Sequence, residues 1–287
     1  MKRENGLKII ILMIDGFGVP PEGWENSVYR KYCGDDFINL FAKHSVPVDA
    51  CLGIDGIPQS ATGQCALFTG INAAEIMGRH VQGFPGPSIR KIIREQNIFS
   101  TLIKKGKSVA FANAYVYFDL QKLRDTRRSS VTSVMTECSL GYIRDLQYLL
   151  RGEAVYHDLT RKSMSGDFDI PEITPSESAS HLIKIAEEND LTLFEYFLTD
   201  RAGHKSEEET LGKVLSELGD FICALSKKLP EEMALIVTSD HGNCEDFFSA
   251  SHTKNPVPLL VCGALKTPPP GKLKSLTDIY EFVNNLF

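Results

Sequence analysis

Leu7-Lys8-Ile9-Ile10-Ile11-Leu12-Met13-Ile14-Asp15-Gly16-Phe17-Gly18 (residues 7–18) sets a nearly unbroken apolar run directly before an acidic, glycine-flanked turn. Such a run reads as a strand buried on both faces, as in a parallel sheet covered by helices, and not as a half-exposed hairpin strand. Ser108 to Ala112, Leu191 to Leu198, Ala234 to Ser239 and Val257 to Cys262 read the same way. Between them, Ile98 to Lys105, Ala179 to Glu188 and Glu207 to Leu229 carry apolar residues at helical spacing, with Leu211, Val214, Leu215, Leu218, Phe221 and Ile222 on one face of the last. The alternation predicts an α/β fold: a three-layer sandwich with a mostly parallel central sheet flanked by helices. A closing helix is expected over residues 276–283, capped by Thr277 or Asp278.

The chain has 287 residues, a length that suits one large domain spanning residues 1–287. Residues 115–178 break the rhythm with a polar cluster and one helical piece around Ile143 to Leu159, and read as an irregular insertion or small lid. A net charge of −6 leaves no basic footprint for nucleic acid. The longest apolar runs, Ile9 to Ile14 and Val257 to Leu265, are far short of the roughly 20 residues of a bilayer span. The charged opening leads straight into Asp15-Gly16 without a small-residue cleavage site, so a strand is expected there and not a signal peptide. Seven cysteines without a C-x-x-C pair argue against a disulfide framework or a thiolate zinc site and fit a reducing cytoplasm. Nothing in the sequence sets the oligomeric state.

Acidic and histidine residues gather where the expected strands end. Asp15 follows the first strand, where open α/β sheets place their ligands, although a turn or cap role accounts for it equally well. Asp200 and His204 are four residues apart in Thr199-Asp200-Arg201-Ala202-Gly203-His204, so one helical turn would put both on the same face, at the spacing a shared cation needs. Asp240 and His241 are adjacent at a glycine turn, where a buried carboxylate needs a counter-charge that a divalent metal supplies. His252 precedes the run from Val257. Together the six form a mixed oxygen and nitrogen set suited to Mn²⁺, Zn²⁺ or Fe. Ser60, in Gln59-Ser60-Ala61-Thr62-Gly63-Gln64, opens a helix of small residues. It is either that helix's N-cap or a nucleophile meeting phosphate at the positive end of the dipole.

The opening M-I-D-G-F-G, then Q-S-A-T-G-Q, T-D-R-A-G-H, T-S-D-H-G-N and H-T-K-N-P-V-P, in that order, resemble the alkaline phosphatase metalloenzyme superfamily, particularly its branch of cofactor-independent phosphoglycerate mutases and phosphopentomutases. The resemblance implies an alkaline phosphatase-like fold and two divalent ions, Mn²⁺ or Zn²⁺. One would be held by Asp200, His204 and His252, the other by Asp15, Asp240, His241 and the Ser60 oxygen. It implies that Ser60 is transiently phosphorylated, with Thr62 the alternative. Two departures stand out: Gln64 occupies a position commonly His in the mutases, and the large cap domain that the mutases carry after the nucleophile helix has no counterpart.

The expected function is therefore metal-dependent hydrolysis of a small phosphorylated substrate through phosphoserine. A phosphomutase acting on a phosphosugar or phosphoglycerate is the alternative, and an inactive metal- or phosphate-binding protein the second. Arg79 is a candidate for gripping the substrate phosphate, as is the cluster of Lys122, Arg124, Arg127 and Arg128, for which a solvated face is the plainer reading.

Overall fold

The computed structural model describes residues 6–266, 268 and 273–287, so the charged opening at residues 1–5 lies outside the described residues. Six strands form one mixed sheet: β1 (Lys8–Ile14), β2 (Ser45–Val48), β3 (Val109–Phe111), β4 (Leu191–Tyr196), β5 (Met233–Ser239) and β6 (Val257–Gly263), in the order β2-β6-β5-β1-β4-β3. β1 lies between β4 and β5 and is parallel to both, and β3 is parallel to β4.

The two-residue period of a strand explains why β1 is apolar from Ile9 to Ile14. Ile9, Ile11 and Met13 enter one core, while Ile10, Leu12 and Ile14 enter the other. Helices Ser60–Thr69, Pro87–Glu95, Ile98–Lys104, Val131–Leu140 and Leu276–Asn284 supply buried residues to the first core. Helices Val28–His44, Pro175–Glu187 and Glu208–Lys228 cover the second. The expected three-layer sandwich is the observed one.

Local differences have local causes. Leu198, expected at the end of a strand, instead begins helix Leu198–Lys205. The closing helix is capped by Ser275, and Asp278 at its third position completes a capping box, in place of the expected Thr277 or Asp278 cap. β2 was not expected because Pro47 interrupts its short run; as an edge strand it tolerates the missing N–H. Helix Val28–His44 escaped notice because Gly34, at φ +77°, breaks the apolar spacing. Residues 115–178 hold more helix than expected, namely Leu120–Asp125, Val131–Leu140 and Leu146–Leu150, while the piece anticipated from Ile143 to Leu159 shrinks to the last of these. Leu149, Ala154, Tyr156, Met164 and Ile170 give this segment a small core of its own.

β6 runs antiparallel to β5, and β2 antiparallel to β6. Only a short 3-10 segment, Cys244–Ser249, and a loop connect β5 to β6. A parallel return usually runs through a crossover α-helix, which this connection does not contain, whereas an antiparallel one needs none. The loop before β6 is thereby brought to the edge of the sheet where β1, β4 and β5 end.

Helix Ser60–Thr69 crosses that edge closely. A Cβ at Gly63 would lie 2.5 Å from the Asp240 carbonyl oxygen, inside contact distance of backbone that cannot move aside. Gly63→Ala is expected to destabilise the protein by about 1–3 kcal/mol, the usual cost of overpacking. A lowered urea midpoint with an unchanged m-value would show this; an unchanged midpoint would show that the helix shifts freely.

Candidate metal centre

The strand ends determine where the acidic residues fall. Ile14 pairs with Ser239 on one side and with Tyr196 on the other, so Asp15 and Asp240 emerge side by side and the helix after β4 starts next to them. Asp200 and His204 occupy successive turns of helix Leu198–Lys205 and share a face, as their spacing suggested. The β5–β6 reversal brings in His252. Ser60 is the first residue of its helix and Gln59 is the cap, so the Ser60 hydroxyl is not spent on capping. It points at His241, with Oγ 3.0 Å from Nε2.

Two donor groups result. In the first, His252 Nε2 is 3.2 Å from Asp200 Oδ1, His204 Nε2 is 3.5 Å from the same oxygen, and the two imidazole nitrogens are 2.9 Å apart. In the second, His241 Nε2 is 3.1 Å from Asp15 Oδ1 and 3.8 Å from Asp240 Oδ2. The His241 and His252 rings stack at 3.8 Å, joining the groups into one cluster.

The opposite ring nitrogens fix the tautomers. Nδ1 of His252 faces the Pro58 carbonyl at 2.8 Å, that of His204 the Ala250 carbonyl at 3.1 Å, and that of His241 the Gly242 carbonyl at 3.3 Å. A carbonyl only accepts, so each Nδ1 donates and each neutral ring turns an Nε2 lone pair inward. Two lone pairs 2.9 Å apart repel unless a cation lies between them. Asp15 Oδ1, buried and without a hydrogen-bond donor, is a further acceptor awaiting a positive partner. Three carboxylates and three imidazoles converging through acceptor atoms are the donor chemistry of divalent transition metals, and these residues fit such ions.

Protonation answers to the same charge excess. Burial, reinforced by Asp240, pushes the Asp15 carboxyl up to about 8. Burial alone would lower His241, but the carboxylates of Asp240 and Asp15 override it and raise the imidazole to about 10. Asp200 moves the other way: burial opposes its ionisation, yet His252 and His241 bring it down to about 2.

Several supporting residues were not anticipated. The Gln64 amide donates to Asp240 Oδ2 at 3.0 Å, so the glutamine standing where the mutases commonly have histidine holds a carboxylate in place. Asn243 Nδ2 donates to Asp200 Oδ1 at 2.6 Å. Glu245 accepts from the backbone N–H groups of Gly18 at 2.9 Å and Asn243 at 2.8 Å, tying the β1 and β5 turns together. Glu195, inside β4, is buried and accepts a hydrogen bond from Thr132. No motif marks Glu195 or Glu245; a charged residue within an otherwise apolar strand was the available signal for Glu195.

Beside the cluster opens a cleft of about 520 Å³, lined by Asp15, Ser60, Glu195 and Asp200 on the core side. Residues of the 115–178 segment, Arg128 among them, line its other side. All seven predicted metal and nucleophile positions (Asp15, Ser60, Asp200, His204, Asp240, His241, His252) therefore meet at one place. Arg79 does not join them. It is exposed after helix Ala73–Met77 and does not line the cleft. Of the basic cluster, Arg128 lines the cleft, while Arg124 pairs with Glu137 at 2.8 Å and Lys122 lies 3.9 Å from Asp119.

Residues 146–281 match the Metalloenzyme superfamily model. The matched stretch contains Asp200, His204, Asp240, His241 and His252, and the resemblance drawn from the motifs is borne out. The 2,3-bisphosphoglycerate-independent phosphoglycerate mutase of Roseobacter denitrificans is 31% identical over 135 residues, 41% of this chain and 26% of that protein. The phosphopentomutase of Dictyoglomus thermophilum is 31% identical over 87 residues, 30% of this chain and 22% of that protein. The matches thus span about a quarter of the relatives' lengths. Among solved structures, alkaline phosphatase from the Antarctic bacterium TAB5 superposes with a TM-score of 0.57 at 15% identity over 98% of both chains. Thermus thermophilus alkaline phosphatase gives 0.60 at 11% identity over 98% of this chain and 91% of that one. At these identities the likeness shows an alkaline phosphatase-like fold. Among the described residues no helix is long and apolar enough to cross a membrane.

Burial pushes the Glu195 carboxyl up to about 7, against an ordinary value of 4.5, with Asp240 adding to the effect. A raised acid binds its proton more tightly folded than unfolded, so its contribution is complete below pH 4.5 and is lost as pH rises through about 7. Relative to Glu195→Gln in metal-free buffer, the parent should therefore lose ~3 kcal/mol of stability between about pH 4.5 and 8. Urea unfolding of both proteins across that range measures it; parallel pH profiles would place the Glu195 carboxyl outside this account.

Proposed function

We propose that this chain is a metal-dependent phosphoryl-transfer enzyme in which Ser60 carries the phosphoryl group and water resolves it, so that a small phosphorylated substrate is hydrolysed. The reading rests on one observation: an uncapped serine hydroxyl at a helix start, 3.0 Å from His241 Nε2, opens onto a cleft beside two convergent carboxylate and imidazole groups. Asp200, His204 and His252 would hold one divalent ion and Asp15, Asp240, His241 and Ser60 the second, Mn²⁺ or Zn²⁺. When bound, such ions neutralise phosphoryl oxygens and lower the pKa of a neighbouring hydroxyl.

The chain's own groups account for the rest. The Ser60 hydroxyl gives up its proton to solvent as its oxygen forms the new P–O bond and the ester P–O bond breaks, and the released alcohol takes a proton from solvent. The first-turn N–H groups of helix Ser60–Thr69 point toward the incoming anion with the positive end of the helix dipole behind them. Gln64 and Asn243 hold the Asp240 and Asp200 carboxylates in register. Water then attacks the phosphoserine, breaking its P–O bond, restoring the hydroxyl and releasing phosphate.

The mutase reading is supported by a different finding, since the relatives in sequence include both a phosphoglycerate mutase and a phosphopentomutase. In it a second substrate hydroxyl takes water's place, which requires the phosphoserine to be shielded while the substrate turns. Residues 115–178, or a neighbouring subunit, would be the lid.

Ser60→Ala is expected to lower phosphoester turnover by at least about 10³-fold, the scale seen when a covalent nucleophile is removed, while bound metal remains close to the parent's. Phosphate release, isomer formation and metal content, each measured for the parent and the variant, give the test. Full activity without the hydroxyl would remove Ser60 from the mechanism. Isomer interconversion without free phosphate would favour the mutase, and two tightly bound ions without turnover on any phosphoester would favour a binding protein.

A further inference from the structure

The wall of the cleft that faces the metal cluster has a chemical character of its own. Phe84, Tyr117 and Phe118 stand at the cleft and are 49%, 46% and 50% exposed, so three large apolar rings share one opening. Deeper in, Tyr156, His157 and Phe197 continue the surface, with His157 packed 4.1 Å from Tyr156 and stacked 4.9 Å from Phe197. Burial pushes His157 down to about 4, so that ring is uncharged at neutral pH. The wall is also held in place: the Tyr117 hydroxyl donates to Asp167 at 2.5 Å and its ring packs 5.6 Å from Phe168. Among the described residues lining the cleft, the cationic side chains are Arg128 and Arg201.

Asn113, Thr126, Ser129, Ser130 and Ser133 also line the cleft, and a polyol phosphate or phosphoglycerate would engage such groups, but it would leave the three exposed rings uncovered. Exposed rings are what an apolar planar group would cover, through area burial and through offset or edge-on ring contacts. We propose that the 115–178 segment, with Phe84 and Phe197, forms a subsite for the organic part of a phosphomonoester carrying an uncharged aromatic ring, and that this ring is the group the site selects. The inference rests on the phosphoryl-transfer reading for where the phosphoryl group sits, and it names the class of alcohol attached to it. Ser60 and the metal cluster hold the phosphoryl end; the aromatic rings lining the same cleft hold the other.

Binding separates this proposal from the reading on which it rests. In the metal-loaded protein, Kd would be measured by calorimetry for three unreactive phosphonates: ethylphosphonate, 2-phenylethylphosphonate and 3-phosphonopropanoate. Burying a phenyl ring predicts that the phenyl compound binds about 10–100-fold tighter than the ethyl one, and tighter than the carboxylate. In Phe84→Ala/Phe118→Ala the ratio of the phenyl to the ethyl Kd should approach the value for ring-free binding, cutting the advantage several-fold; because both constants come from the same variant, the ratio is independent of how much protein is folded. Equal affinities for the ethyl and phenyl compounds, tightest binding of the carboxylate, or an advantage untouched by the double substitution would each overturn the aromatic subsite. Turnover of 2-phenylethyl phosphate and ethyl phosphate, esters of similar alcohols, is measured alongside. Ring-selective binding with neither ester consumed would leave the subsite standing and overturn phosphoryl transfer instead.

Discussion

Acceptor crowding at one edge of the sheet is the constraint around which the molecule is arranged. Asp15, Asp200 and Asp240 bring carboxylates to within a few ångströms of the Nε2 lone pairs of His204, His241 and His252. Without positive charge such a group would push itself apart, and the upward direction of Asp15 and His241, driven by burial and by neighbouring carboxylates, has the same cause. The surroundings hold the acceptors together all the same. Backbone carbonyls fix all three rings from behind, Gln64 and Asn243 fix two carboxylates, and Glu245 ties the supporting turns. Protein that maintains an unfavourable charge arrangement with this many contacts is organised for a cation.

Much of this was legible in the chain. The strand cores and the long helices could be read because burial on two faces leaves uninterrupted apolar runs and burial on one leaves a 3.6-residue stripe. The six acidic and histidine positions could be read because each sits next to such a run, and the strand register turns adjacency in sequence into adjacency in space. Ile14 against Ser239 and Tyr196 is the clearest instance. What stayed hidden has a common physical character. β2, with its proline, and helix Val28–His44, with its left-handed glycine, break periodicity at the places where the structure tolerates a break. Glu195 and Asn243 act through partners 40 or more residues away and Glu245 through the Gly18 N–H and the side chains of Thr253 and Asn255, and no local pattern encodes such pairings.

Arg79 illustrates the limit from the other side. Its position soon after the nucleophile helix made it a plausible phosphate ligand, but helix Ala73–Met77 and the left-handed Gly78 turn the chain outward before it arrives. Proximity in sequence to a catalytic element is weak evidence when a turn intervenes. Of the four basic residues for which solvent was the plainer reading, Arg128 is the one that lines the cleft, where Arg201 joins it.

The division between core and segment bears on how selectivity arises. The donor groups stand on β1, β4, β5 and the elements directly attached to them, whose apolar faces are locked between two helical layers, so their geometry resists change. The segment at 115–178 anchors to those cores through Val131, Val134, Met135, Val155 and Leu159, while Leu149, Ala154, Tyr156, Met164 and Ile170 pack in a small core of its own. Its exposed cleft residues, Tyr117, Phe118 and Arg128, lie outside all three cores and can change without disturbing the strand ends that align Asp15 with Asp240. A fold built this way separates the donor cluster from the wall of the cleft beside it, and the antiparallel β6 contributes to the first. Because the chain returns without a crossover helix, the connection before β6 delivers His252 to the donor cluster.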